Sequence, residues 1–420
     1  MKTPLTRLLL AFVGCLCAPF SRGSIPFPAS SPADFPKITW TEGPEYPMGI
    51  QDSAFGIIHG KVISAGGFTR YPKDVVKNHP DAFEGKADGF TKLTFLFDPA
   101  QPTDGWKRIA DLPGPPRQAA LAVVVYDVLY AIGGFSYTEP YSYRSTYRLQ
   151  EESGQWSWSD TKCDVPWPVC QGSAVAIGKK IYLLCAADFF IPPGASGHNF
   201  YTEAGRNNSP VGRALLVLDT TDLKSGWKRL ADLPGVPRAY TAVGVAGQKI
   251  YALAGLYAPL RKGEEVSSHD LNEWYYNAAG SWAYDSKVDQ WMQLPETPDN
   301  ANDRAVVFKD RYLVILGGFK YAKTWHQDGT REEVYSDEEK VAAKKQFSKN
   351  PEMGAAPLMQ RTVMIYDTKT GTFGAGAPML DQSAWPMATI DGNTIFSLGG
   401  EGGVRLWHPA TFQIGRIEMK

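Results

Sequence analysis

Six short polar clusters recur along this 420-residue chain, and their residue types suit the grip of a small anion. Gln51-Asp52, Arg117-Gln118, Gln171, Arg238, Arg304 and Gln382 occupy similar places, each at the entrance to an apolar stretch of small residues. If those stretches are strands facing one axis, Arg117, Arg238 and Arg304 converge at one mouth. Converging guanidiniums repel one another unless an anion sits among them, and the planar fork of Arg matches a carboxylate through two parallel hydrogen bonds. The ordinary alternative is that each Arg pairs with a nearby acid, Asp111, Asp232 or Asp303, and holds a loop. For proton transfer the candidates are Glu401, directly after Gly399-Gly400, and then Asp52; Arg405 offers Glu401 a plain turn contact instead. No metal is expected, because no Cys-x-x-Cys follows residue 24 and the six His are scattered.

What must position these groups is a repeat. The second strand of each unit reads Lys61-VISAGG-Phe68, Val128-LYAIGG-Phe135, Ile181-YLLCAA-Asp188, Ile250-YALAG-Leu256, Tyr312-LVILGG-Phe319 and Thr394-IFSLGG-Glu401. Third strands end at Phe97-Asp98-Pro99, Tyr147, Leu218-Asp219, Tyr284-Asp285, Tyr366-Asp367 and Trp407-His408-Pro409. Fourth strands carry Trp106, Trp156, Trp227, Trp291, Phe373 and Ile414. A four-stranded unit of this size cannot bury both of its faces alone, so neighbouring units must stack and share a core. The pattern resembles the kelch repeat. It implies an all-β, six-bladed kelch-type β-propeller over residues 38–420, with four-stranded antiparallel blades and a ring closed by terminal strands. Lys37-ITWTEGPEYP-Met48 is a fourth-strand pattern placed ahead of the first unit and would supply the outer strand of the last blade. Gln413-IGRIEMK competes for that place.

In such a blade the loops between strands 2 and 3 all open on one face, together with the entries to the innermost strands. These loops, at about 68–92, 135–144, 188–213, 256–280 and 319–361, hold most of the insertions and many aromatics, including Phe68, Phe135, Tyr137, Tyr141, Tyr143, Tyr257, Trp274, Tyr321 and Trp325. Aromatic faces with polar neighbours suit sugars, although the same rings could serve only to pack the loops on one another. Asp337 to Phe347 reads as a short helix, either a lid or a surface excursion.

Composition narrows the partners. Lys plus Arg number 43 and Asp plus Glu 44, so no uniform basic field draws nucleic acid or anionic lipid. Residues 1–24 carry Lys2 and Arg7 ahead of an apolar run from Leu8 to Ala18, the pattern of an export signal too short to span a bilayer. Residues 25–37 would link it to the propeller, and the chain would be periplasmic or extracellular. Val13-Gly14-Cys15 loosely resembles a lipoprotein cleavage site, which would place a lipid anchor on Cys15. Cys163, Cys170 and Cys185 would remain, one disulfide and one buried thiol being the simplest outcome.

The export signal, Pro116-Arg117-Gln118, Gly399-Gly400-Glu401 followed by Arg405, and Leu260-Arg261 together resemble the bacterial N-acetylneuraminate epimerases, mutarotases of sialic acid. The resemblance implies anomer exchange by general acid–base ring opening with no cofactor. It implies a substrate carboxylate on Arg117, Arg238 and Arg304, with Arg261, Gln51, Gln118, Gln171 and Arg405 around it. Where the family has a Glu proton acceptor after the fourth unit's glycine turn, this chain reads Ala254-Gly255-Leu256. Glu264, Glu265 or Glu401 would then have to serve, or the propeller binds glycan or protein without catalysis. A copper oxidase of the galactose-oxidase kind needs a Cys–Tyr pair and two histidines, but His269 and His326 lie in different loops.

Overall fold

The computed structural model describes residues 27–70, 83–84, 88–137, 139–184, 186, 188–190, 199–201, 212–257, 275–298, 304–346, 358–402 and 410–419. Six four-stranded antiparallel blades are present among them. Blade I comprises Ala54–Ile58, Lys61–Arg70, Asp88–Phe97 and Trp106–Arg108, and blade II Leu121–Val125, Val128–Ile132, Thr146–Glu152 and Gln155–Asp160. Blade III comprises Ser173–Ile177, Lys180–Leu184, Leu216–Asp219 and Lys228–Arg229, and blade IV Ala242–Ala246, Lys249–Leu253, Trp282–Asp285 and Gln290–Gln293. Blade V runs Ala305–Phe308, Tyr312–Leu316, Val363–Asp367 and Thr372–Ala375. Blade VI runs Met387–Asp391, Thr394–Leu398, Phe412–Glu418 and finally Lys37–Glu42. Innermost strands neighbour one another in order from I to VI and back to I, which closes the ring.

Closure by the N-terminal strand is as the sequence implies, but the last blade differs inside. Phe412–Glu418 is its third strand, paired with Thr394–Leu398 on one side and Lys37–Glu42 on the other. The third strand is therefore not the segment ending at Trp407-His408-Pro409, and Ile414 is not on the outer one. Residues 27–36 lie against blade V: Ser31 Oγ donates to the Ala375 carbonyl at 2.7 Å, and the Phe35 ring meets Tyr312 at 5.7 Å.

Cores sit between blades, not within them. Val314, Leu316 and Ile365 of blade V pack on Trp40, Ile395 and Ile417 of blade VI, and every other interface has a corresponding apolar cluster. The recurring outer tryptophans add a directional bond. Trp40, Trp106, Trp158, Trp227 and Trp291 each donate the indole N–H to a carbonyl of the preceding blade, at Ala377, Pro44, Ala110, Cys163 and Ala231. Blade II uses Trp158 for this rather than Trp156, and blade V carries Phe373, which has no N–H to give.

The glycine pairs have an equally specific use. Their second members donate backbone N–H groups to the next blade: Gly67 to Arg117 O, Gly134 to Val169 O, Gly318 to Ser383 O and Gly400 to Ile50 O, all at 2.8–2.9 Å. Both members of each pair have positive φ, and a Cβ on Gly133 would lie 2.1 Å from the Val169 oxygen, so a side chain would break the interblade bond.

Candidate functional site

Two residues ahead of five of the innermost strands, the chain turns through a left-handed conformation. Asp52, Ala119, Gln171, Tyr240 and Trp385 hold this place in blades I, II, III, IV and VI, with φ between 48° and 55°. L-residues enter this region at a cost, so the surroundings must impose it. They do so through hydrogen bonds passed from blade to blade: Ala119 N–H to Asp52 O, Gln171 N–H to Ala119 O, and Tyr240 N–H to Gln171 O, at 2.8–3.1 Å. The side chains of this necklace and of its neighbours gather at the channel mouth. Blade register sets a second circle, in which the residue after the glycine turn pairs with the one before the left-handed residue: Gln51 with Phe68, Gln118 with Phe135, Ala239 with Leu256, Ala384 with Glu401. Glu401 is thus the acidic counterpart of a position that holds Phe, Phe and Leu elsewhere.

Aromatic packing occupies part of the mouth. The rings of Tyr240 and Trp385 stack with centroids 4.1 Å apart and planes 13° from parallel, and Phe319 meets Trp385 edge-on at 4.7 Å. Phe90, Phe135, Cys170, Leu256, Tyr275 and Tyr321 join the same cluster. Several of the loop aromatics therefore pack on one another; Tyr137 meets Phe90 at 4.7 Å while staying 41% exposed.

Amid this packing stands a polar set. Asp52 is 1% exposed, and neither carboxyl oxygen has a hydrogen-bond partner. Gln51 Nε2 donates to Gln118 Oε1 at 3.3 Å, while Gln51 Oε1 and the buried Gln171 Oε1 are left unpartnered. Arg304 of blade V reaches the Gly172 carbonyl of blade III at 3.5 Å. Groups from blades III and V skip the blade between them only by meeting across the channel, so this guanidinium lies in it. Burial pushes the Asp52 carboxyl up to about 6, with Arg304 opposing the rise. Glu401, which keeps partial exposure, is pushed up to about 8 by burial and then by the Asp52 charge. Burial and the same two acids also raise the Tyr240 hydroxyl well above its ordinary range, Arg304 acting the other way.

The expected convergence of three arginines does not occur. Arg117 is 2% exposed; its Nε donates to Pro115 O and its Nη1 to Gly133 O and Ser145 Oγ, with the Tyr143 ring 4.1 Å away. Arg238 repeats the arrangement in blade IV, with Val236, Ala254 and Gly280 carbonyls as acceptors. Each Pro-Arg clamps the end of its blade's second strand, and only Arg304 faces the acids. Nor do Asp111 and Asp232 take these clamps: they bind Arg108 and Arg229 of the outer strands through two hydrogen bonds each. Gln382 lies three residues before the left-handed Trp385, not among the necklace positions. Leu256 is 5% exposed within the aromatic cluster and offers no proton. Arg261, Arg405, Glu264, Glu265, Asp303, Cys15 and Cys185 lie outside the described residues, while Cys163 and Cys170 are buried in separate clusters. Tyr240 and Trp385 were not among the sequence candidates; counting back from the strand start rather than searching for polar residues would have found them.

No family model matches the chain. A kelch domain-containing protein of Vibrio cholerae is 33% identical over 104 residues, a quarter of either chain. Kelch-like protein 15 of Danio rerio is 22% identical over 289 residues, 68% of this chain and 41% of that protein. N-acetylneuraminate epimerase of Yersinia pestis is 24% identical over 190 residues, 44% of this chain and 45% of the enzyme. The chain thus matches less than half the length of each of these relatives. The solved structure of YjhT covers 90% of this chain and 99% of its own at a TM-score of 0.56 and 13% identity, a likeness of fold. The chain is a kelch-repeat protein with a kelch propeller fold, distantly similar to N-acetylneuraminate epimerase.

Proposed function

We propose that this propeller is an exported isomerase exchanging the anomers of an acidic sugar of the N-acetylneuraminate kind at the channel mouth. The observation that carries this reading is Glu401: a partly exposed carboxyl held protonated near neutral pH, beside an ionised Asp52 and with Arg304 in the channel. Ring opening of a hemiketal needs a proton delivered to the ring oxygen as the anomeric hydroxyl loses its own. The ring C–O bond breaks, a ketone forms, and reclosure on the other face reverses both transfers. Glu401 delivers the proton to the ring oxygen, and the Asp52 carboxylate receives the hydroxyl proton, directly or through water. Arg304 binds the sugar carboxylate, and Gln51, Gln118 and Gln171 offer hydrogen bonds to hydroxyls. Arg117 and Arg238 contribute by holding the blades. The distant similarity to N-acetylneuraminate epimerase supports the substrate class.

The test is proton NMR on freshly dissolved α-N-acetylneuraminate with catalytic amounts of protein. Faster approach to the anomeric equilibrium, slowed about 100-fold or more by Glu401→Gln, agrees with the roles given. The Tyr240–Trp385 stack, which fills part of the mouth, favours a second reading: a glycan- or protein-binding module without catalysis. Line broadening of the sugar without acceleration would favour that one.

A further inference from the structure

The longest loop of blade V folds back over its neighbour. Lys323–Trp325 pairs with Arg331–Glu333 as a hairpin, and its first strand runs parallel to Tyr276–Ala278 of the blade IV loop, so the two loops share one small sheet. The end nearest the mouth is fastened by an amide. Asn277 Nδ2 donates to the Tyr321 and Lys323 carbonyls, and its Oδ1 accepts the Tyr321 N–H, all at 2.9–3.2 Å. None of these bonds involves a group that titrates.

The tip is fastened differently. His326, 6% exposed, lies between two carboxylates: Nδ1 is 2.9 Å from Glu296 Oε2, beyond the outer strand of blade IV, and Nε2 is 3.4 Å from Glu332 Oε2 on the return strand of the hairpin. Glu296 is equally buried, and its other oxygen accepts the Gln327 N–H at 2.6 Å. Gln327 also donates its Nε2 to the Ser281 and Leu294 carbonyls, which keeps the tip in register at any pH. His326 Nε2 and Glu332 Oε2 are both buried and have no hydrogen bond elsewhere, so each atom depends on the other. The other charges nearby have partners of their own. Arg331 lies over the Trp325 ring at 4.2 Å, Lys323 stands opposite Glu333, and Asp328 accepts from the Thr330 N–H and hydroxyl. Arg238, which lines the same cavity as His326, donates to the Ala254 and Gly280 carbonyls, and Tyr276–Ala278 brings no charge.

We propose that Glu296, His326 and Glu332 form a proton-operated latch: the imidazolium fastens the hairpin to blade IV, and loss of its Nε2 proton releases the return strand. Neutral His326 keeps its Nδ1–H for Glu296 but turns a lone pair towards the Glu332 carboxylate, acceptor against acceptor at two buried atoms. Burial by itself lowers the His326 ring, but the hydrogen bonds and charges of Glu296 and then Glu332 outweigh it and raise the ring above its ordinary 6.5. The fastening is therefore complete below that ordinary value and is lost as pH rises through the raised one. Asp52, Arg304 and Glu401 take no part.

The experiment is amide hydrogen exchange of the full chain, read by mass spectrometry at about pH 6 and about pH 9 and corrected for the intrinsic rate. Amides of residues 323–333 should exchange at least about fivefold faster at the higher pH, relative to the strands of blade IV as internal reference. Glu332→Gln, whose amide can donate to the neutral ring, should remove that dependence. Nitrogen-15 NMR of the wild type should show an imidazole losing its Nε2 proton at the same midpoint, which keeps the test decisive if Glu332→Gln does not fold. Hairpin exchange without pH dependence in the wild type, the same dependence in folded Glu332→Gln, or no imidazole titrating at that midpoint overturns the proposal.

Discussion

Tyr240 and Trp385 come from blades IV and VI, occupy the same left-handed backbone position, and meet face to face at 4.1 Å across the place of blade V. The strained backbone and the stack therefore support each other: each φ near 50° aims a ring inward, and the contact between rings helps hold both turns. Trp385→Ala should remove this stack and the Phe319 edge contact, lowering unfolding free energy by about 3 kcal/mol, as measured by urea denaturation.

The acid pair makes stability depend on pH in a defined direction. Glu401 rises from 4.5 when free to about 8 in the fold, so the folded state holds its proton more tightly than the unfolded state does. Its contribution is complete below about pH 4.5, declines as pH rises towards 8, and changes no further above that. Asp52 acts in the same sense between 3.8 and about 6. Glu401→Gln should flatten the upper part of this decline, so that its urea midpoint exceeds that of the wild type at about pH 9. Midpoints that fall in parallel for both proteins would assign the decline to other groups.

Arg117 and Arg304 should separate cleanly on mutation. Arg117→Ala removes three hydrogen bonds and a ring contact from a buried clamp, at a cost of about 2–4 kcal/mol of stability. Arg304→Ala loses one long hydrogen bond and should alter stability by under about 1 kcal/mol, while weakening sialic acid binding at least tenfold in calorimetry. The opposite ranking would place the anion site at the blade II clamp.

An outer indole is expected to be worth about 1 kcal/mol. Trp291→Phe retains the ring near Tyr284 but removes the N–H donated to the Ala231 carbonyl at 2.8 Å. Denaturation compared with Trp291→Ala, which also loses packing and should cost about 3 kcal/mol or more, isolates the hydrogen bond.

The helix of the longest insertion is fastened rather than loose. Ser336 and Glu339 form a reciprocal cap on Asp337–Gln346, and Glu339 binds Lys320 at 2.8 Å beside the mouth residue Phe319. Lys320→Ala should make this helix cleavable by trypsin at its Lys340, Lys344 and Lys345 bonds at least several times faster, with the six blades intact.

The sixfold repeat and the closing strand were legible because alternating apolar strands, glycine pairs and outer tryptophans each leave a mark on composition. The polar mouth was legible only in part. Asp52, Gln51, Gln118, Gln171 and Arg304 turn to the mouth because their distance from the innermost strand fixes which way they point, and Glu401 joins them through its pairing with Ala384. Arg117 and Arg238 stand four residues ahead of that strand, against one to three for Arg304, Asp52, Gln171, Gln51 and Gln118, and the difference turns them into the blade, where carbonyls at strand ends await a donor. Tyr240 and Trp385 escaped notice because nothing in their residue type announces a left-handed turn; that conformation is imposed by hydrogen bonds from neighbouring blades. The last blade was misread because Trp407-His408-Pro409 copies the end of a third strand, whereas Phe412–Glu418 is chosen by its six-residue register with Lys37–Glu42.

That register also sets an order of events. Lys37–Glu42 leaves the ribosome before any blade can exist, yet its partner Phe412–Glu418 follows some 370 residues later. At a synthesis rate of about 5–20 residues per second the early strand waits on the order of half a minute, with one hydrogen-bonding edge unmatched. Blades I to V can stack meanwhile, but the outer edge of blade VI and the seam between VI and I form last. The circle is fastened like a belt, by its two ends, and a nascent chain arrested shortly before residue 412 would be an open arc with two adhesive edges.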